Sequence, residues 1–172
     1  LLDRFDGRFE ALIEEAGASA ERLVDLLAQM TFYRDVSSYD GMDVPLFKRA
    51  QLTAADLALA FEGRGPGRFD DLDALTIFAD NLVPHVLRRE GVLVYEKGLA
   101  ERIDGERLIE PGSLEEVEIR AVALHAVEHM VGHLSRRGRH DSAQHIDYAL
   151  WNRGQSPEMK AHPRHRTRTV YY

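Results

Sequence analysis

Asp80 lies in the run Leu-Thr-Ile-Phe-Ala-Asp-Asn-Leu-Val-Pro, residues 75–84, with Ile77, Phe78, Ala79, Leu82 and Val83 around it. The setting puts its carboxylate beside an apolar wall instead of on a charged face. Such a group can stabilise positive charge developing on a substrate or take a proton from water. It can equally accept hydrogen bonds from a neighbouring helix end. A proline clashes with the carbonyl four residues back, so a helix running through Asp80 and Pro84 should kink at Asp80. Asp147 and Trp151 are four apart, which places a carboxylate beside a large flat ring on one helix face. Ring and carboxylate suit a purine-like base, the one for stacking and the other for adjacent N–H donors. A core tryptophan near a surface aspartate has the same spacing. Lys48 and Arg49 fall in the first turn of a helix expected after Pro45, where the macrodipole disfavours cations by roughly 0.3–1 kcal/mol each. An anionic ligand on the free N–H groups would offset this, and so would surface pairing with Asp40 or Asp43.

His125, His129 and His133, with Glu118, are metal-ligating types on one arc of a long helix. They oppose the apolar arc of Ile119, Ala123, Val127, Met130 and Leu134, and the three histidines spread over about 12 Å along the axis. Solvated side chains are therefore expected, and no metal. Arg120 falls inside the apolar arc and needs a partner, for which Glu116 is the local candidate.

The elements that must position these groups are helical. Apolar spacing predicts a helix, a turn at Gly17–Ser19 and a second helix; an irregular loop over 31–44; a helix from Pro45 to about Phe61; and a boundary at 63–67, Gly-Arg-Gly-Pro-Gly. Helical pattern resumes from Asp73 to Leu87, then near Tyr95 to Ile103. A long helix from about Leu114 follows a Ser113/Glu116 capping-box signal, and another runs from about Asp141 to Arg153. The expected class is mainly α: a compact bundle of short helices with an extended C-terminal tail, one domain over residues 1–172. The chain starts without methionine and in mid-pattern, so a portion of a longer protein is expected.

Cysteine is absent from the 172 residues, which excludes disulfide scaffolds and thiolate chemistry, and a cytoplasmic setting fits. No apolar run approaches about 18 residues, so no membrane span is expected. Twenty-nine acidic against 22 basic residues give a net charge of −7, which argues against sequence-blind binding to nucleic acid. The basic residues nevertheless crowd into His162, Arg164, His165, Arg166 and Arg168.

TFYRDVSSYDG, FKRAQLTAADLALAF, LTIFADNLVPHVL, EVEIRA, HIDYALWNRGQ and HRTRTVYY occur in that order over nearly the whole chain. The series resembles the queuosine salvage proteins, or queuosine 5'-phosphate N-glycosylases. The resemblance implies hydrolysis of queuosine 5'-phosphate to queuine and ribose 5-phosphate, in a fold related to helix-hairpin-helix DNA glycosylases, with a small nucleotide as partner and no metal or organic cofactor. It implies Asp80 as the catalytic carboxylate, Lys48 and Arg49 near ribose or phosphate, and Asp147 with Trp151 near the base. Phe78, Asn81 and Tyr172 join them as substrate contacts, and the HRTRTVYY tail is expected at the pocket edge. Leu46-Phe47 stands where the family has two aromatics ending in tyrosine, so no tyrosine hydroxyl role carries over there. The competing reading is a helix-hairpin-helix module that binds nucleic acid.

Overall fold

The structure is a computed structural model that describes residues 1–172. In chain order it comprises α1 (Leu2–Phe5), α2 (Phe9–Ala16), α3 (Ala20–Ala28), β1 (Val36–Tyr39), β2 (Met42–Pro45), α4 (Lys48–Ala60), α5 (Leu82–Arg89), α6 (Lys97–Asp104), α7 (Leu114–Arg136), α8 (Ala143–Gly154) and α9 (Pro157–Lys160). Short 3-10 turns lie at Thr31–Tyr33, Gly65–Gly67 and Leu72–Ala74. The chain is mainly helical, as its periodicity predicts, and no helix is long and apolar enough to cross a membrane.

Serine side chains start four of the helices, Ser156 capping the short α9 through the Met159 N–H. Ser19, Ser113 and Ser142 accept from the backbone N–H of Arg22, Glu116 and His145. At Ser142 the box is reciprocal, with His145 as the returning partner. At Ser113 only half of the expected box forms, because the Glu116 carboxylate turns to the Gly112 N–H and to Arg120.

Three expectations are corrected. Residues 31–44 are not an irregular loop: they hold a 3-10 turn and an antiparallel hairpin in which Tyr39 pairs with Met42. Asp40 and Gly41 turn it, both in the left-handed region (φ 47° and 78°), the backbone that a two-residue hairpin of right-twisted strands requires. Pro45 closes β2 instead of opening a helix, and the chain swings into α4 through a left-handed Phe47, φ 46°. The segment 63–67 packs back as a 3-10 turn with Gly67 buried, so it is not a flexible boundary.

The fourth correction concerns the site most directly. No helix runs continuously from Asp73 to Leu87; residues 75–81 are irregular and α5 begins at Leu82. Pro84 therefore stands in the first turn of a helix, where its missing N–H costs nothing, and there is no kink at Asp80. Asp80 is instead the group that starts the helix. Its Oδ1 accepts from the N–H of Leu82 (2.7 Å) and Val83 (3.2 Å).

A backbone without strand or helix partners must satisfy its polar groups elsewhere. Here side chains from three helices do so. Gln51 of α4 accepts from Thr76 N–H (2.8 Å), Asp147 of α8 accepts from Phe78 N–H (3.0 Å), and Arg120 of α7 donates to the Ala79 carbonyl (2.9 Å). Leu75 packs with Leu12, Leu23, Leu27 and Ala50, whereas Ile77 and Ala79 pack with Val83, Leu87, Ala123 and Val127. The segment thus stitches one apolar cluster to the next.

Arg120 is 1% exposed and is held by more than the local partner expected for it. Its guanidinium meets Asp35 through two bonds, 3.0 and 2.5 Å, and Glu116 at 3.2 Å. Asp35 also accepts from the Lys48 N–H (3.2 Å), so an internal carboxylate occupies the start of α4. Removing one member of a buried ion pair strands the other charge, at roughly 3–5 kcal/mol. Arg120→Met should lower the unfolding free energy by about that amount in a denaturant titration. Arg139→Ala, which breaks the exposed pair with Asp141, should cost less than about 1 kcal/mol.

Candidate functional site

Two cavities meet at Asp80 and Trp151, the only residues that line both. The first, about 630 Å³, lies between α4 and α8 and takes in Lys48, Leu52, Phe78, Asp147 and Tyr148. Three of its lining residues are carboxylates, Asp56, Asp80 and Asp147, against one lysine. The second, about 860 Å³, is bounded by the start of α5 and by the C-terminal tail, with Asn81, His85 and several cations on its wall.

Five of the eight expected site residues therefore share one cavity: Lys48, Phe78, Asp80, Asp147 and Trp151. They come from three stretches of chain far apart in sequence. Residues 75–80 alternate buried and half-buried, so Thr76, Phe78 and Asp80 lie outside the core that takes Leu75, Ile77 and Ala79. A tight turn between the Ile77 carbonyl and the Ala79 N–H (3.0 Å) sets off Phe78 at its centre. Trp151 is 44% exposed, so the core-tryptophan alternative fails and its ring is available to a ligand.

Asn81 faces the second cavity only. Arg49 lines neither; its guanidinium stacks 4.0 Å over the Phe32 ring. Neither Lys48 nor Arg49 pairs with Asp40 or Asp43. What offsets the charge at the start of α4 is Asp35, which no local spacing announces because it lies 85 residues from its Arg120 partner. Tyr172 also lines neither cavity: its hydroxyl donates to Glu116 (2.8 Å) and its ring covers the Arg120 guanidinium at 4.7 Å. The tail does reach the site, through other residues. His125, His129 and His133 are exposed, and the first two touch each other through their Nε2 atoms at 2.9 Å.

Asp147 is buried, 5% exposed, instead of lying on a helix surface. Burial pushes its pKa up to about 6; the Phe78 N–H opposes this, the charge of Asp80 adds to it, and Lys48 draws it down. The Asp80 carboxylate has a different occupation. Its Oδ1 is spent on the α5 N–H groups, which leaves Oδ2 for another partner. The cavity thus offers one anchored carboxylate, one buried carboxylate that titrates close to neutrality, a single cation and two aromatic surfaces. Those are the parts needed to bind a flat base with N–H donors and to stabilise a cation formed next to it.

Comparison with known proteins places the chain in a family. The family model described as queuosine salvage protein matches residues 1–172. A queuosine 5'-phosphate N-glycosylase/hydrolase of Sphaerobacter thermophilus is 44% identical over 173 residues, which cover all of this chain and 54% of the relative. Relatives of the same name from Dictyostelium discoideum (40% over 173 residues) and Mus musculus (34% over 183) are likewise matched over the whole chain and 54% of their own length. The chain spans about half the length of the curated relatives it matches. On the match across all its residues, it belongs to the queuosine salvage protein family.

Proposed function

We propose that the protein carrying this chain hydrolyses the N-glycosidic bond of queuosine 5'-phosphate, releasing queuine and ribose 5-phosphate. Asp80 serves the sugar in this reading, and Asp147 with Trp151 serves the base. The observation that carries it is the convergence of Lys48, Phe78, Asp80, Asp147 and Trp151 on one cavity. The substrate is a small nucleotide, and no chemistry below calls on a metal or organic cofactor. The buried aspartate near the start of α8 also supports kinship of this helical fold with the helix-hairpin-helix DNA glycosylases.

Queuine is a 7-deazaguanine. Its position 7 is carbon and cannot be protonated to improve the leaving group, so the burden shifts to the sugar. As the bond from the anomeric carbon to N9 stretches, its electron pair leaves with the base and the ribose takes on oxocarbenium character. Oδ2 of Asp80 stabilises that charge and orients a water for attack, accepting the proton as the water oxygen bonds to the anomeric carbon. The departing base nitrogen is protonated from solvent. Asp147 accepts from the N–H edge of the base while Trp151 and Phe78 flank its plane.

The elevated pKa of Asp147 favours one competing assignment, in which the two aspartates exchange roles, because a carboxylate titrating near 6 is a competent general base. Kinetics separate the two. Asp80→Asn should fold, retain queuine binding and lose two to three orders of magnitude in kcat. Asp147→Asn should chiefly weaken queuine affinity, by about tenfold or more, as expected for a lost charge-assisted bond. If Asp147→Asn instead abolishes kcat with queuine affinity intact, the exchanged assignment is correct.

Asp147 also ties the site to stability. A carboxyl whose folded pKa lies above its unfolded value of 3.8 stabilises the fold when protonated, below about pH 4, and that contribution is lost as pH rises through about 6. Asp147→Asn removes this loss. Its Tm should exceed that of the parent protein at pH 7.5, by a gain on the order of 2–3 kcal/mol in stability, and the gain should vanish near pH 4. A Tm difference that does not vary with pH would show that Asp147 is not the titrating group.

A further inference from the structure

The second cavity carries a charge pattern that the base and sugar do not explain. Lys160, Arg164, Arg166 and Arg168 line it, and none of the four forms an ion pair or a side-chain hydrogen bond. Only Asp80 and Glu106 contribute carboxylates to its wall. In a chain of net charge −7, four cations without ion-pair partners around one hollow outnumber the two carboxylates on its wall and concentrate positive potential there.

The tail's register produces this. Residues 164–169 alternate, with Arg164, Arg166 and Arg168 exposed while His165 is buried and Thr167 and Thr169 are half-buried. The backbone is pinned from the other side, where Ile109 N–H donates to the Arg166 carbonyl (2.8 Å) and Tyr172 holds Glu116. His165 sits in the interior with its pKa lowered to about 3, first by burial and then by Arg120 and Arg164, so it anchors the tail as a neutral ring. The alternate residues left outside are all guanidinium groups. On the opposite wall His85 bonds the Met159 carbonyl through Nε2 (3.0 Å) and leaves its buried Nδ1 without a partner.

We infer that the cavity bounded by Arg164, Arg166, Arg168 and Lys160 is the phosphate subsite of the enzyme, formed by the C-terminal tail and joined to the base cavity at Asp80 and Trp151. The inference rests on the reading of the chain as part of a nucleotide glycosylase. It assigns the 5'-phosphate to the tail and not to the start of α4, where Asp35 already occupies the Lys48 N–H and Arg49 is turned away onto Phe32. A nucleotide then lies across the junction, its donor-rich base toward Asp56 and Asp147, its anomeric carbon at Asp80 and its dianion among the guanidinium groups. Guanidinium groups give bidentate, charge-assisted bonds to phosphate oxygens.

The test uses the full-length protein and two readouts. First, binding of ribose 5-phosphate and of ribose is measured by calorimetry. The parent protein should bind ribose 5-phosphate, and the variant Arg164→Gln/Arg166→Gln/Arg168→Gln should bind it at least about tenfold more weakly. Second, kcat/KM is measured for queuosine 5'-phosphate and for queuosine. The variant should lose at least about tenfold on the phosphate ester, through KM, and should leave the nucleoside unaffected. Arg166→Gln alone, with a far-ultraviolet circular dichroism spectrum matching the parent, serves if the triple variant does not fold. Equal losses on both substrates, or unchanged ribose 5-phosphate affinity in a folded variant, would overturn the inference. Because sugar-phosphate binding requires no turnover, it is decided even if the parent protein proves not to be a glycosylase.

Discussion

The buried Arg120 guanidinium is the constraint on which the rest of the architecture depends. Through Asp35 it holds the hairpin's leading edge and the first turn of α4; through the Ala79 carbonyl it holds the residue preceding Asp80; through Glu116 it holds Tyr172 and hence the tail. An ion pair removed from water is a poor source of net stability, since the desolvation of both partners offsets most of their attraction. Its worth lies in specificity. Three segments that share no secondary structure have one acceptable arrangement around five N–H donors, and two of them deliver walls of the site. Apolar residues at these positions would bury as well but would not dictate which carbonyl or which carboxylate comes to which place.

Helices such as α3 and α7 were legible because their signals are local: the turn ending at Ser19, the Ser113/Glu116 capping signal, and the apolar repeats that follow them. What stayed hidden in the sequence had period two or depended on distant partners. Leu75, Ile77 and Ala79 alternate with Thr76, Phe78 and Asp80, yet the same residues satisfy a helical pattern when joined to Leu82 and Val83. Tertiary side-chain partners, two acceptors and one donor, decided between the two, and no window of neighbours contains Gln51, Arg120 or Asp147. Asp40-Gly41 was a hairpin signal in plain view, outweighed by the polar residues around it. In the tail, composition revealed the basic cluster, but only the alternation from Arg164 to Thr169 tells which side its charges take. The pairing of Asp147 with Trp151 was readable from a spacing of four; the burial of Asp147 was not, because Phe78 supplies the bond that makes it tolerable.

In the proposed site, Asp147 also illustrates how ligand binding and stability oppose each other. Its carboxylate is desolvated before any ligand arrives, relieved by one backbone N–H and a nearby lysine. A base that presents two or three N–H groups would complete its solvation, so part of the ligand's affinity is stored in the empty protein as an unfavourable charge. The same cavity wall would be more stable and less selective with a neutral residue.

Gly154 ends α8 against Leu82 at the start of α5, close enough that a Cβ there would stand 2.7 Å from the Leu82 side chain. Leu82 is the residue whose N–H fixes Asp80, and α8 carries Trp151. The gap between carboxylate and ring is therefore gauged by a missing atom. A larger residue at 154 would force the Leu82 side chain or the two helices to shift, altering the wall between the two cavities. Gly154 and Leu82 both line the second cavity, so the position shapes that cavity's wall as well as the spacing of the two helices.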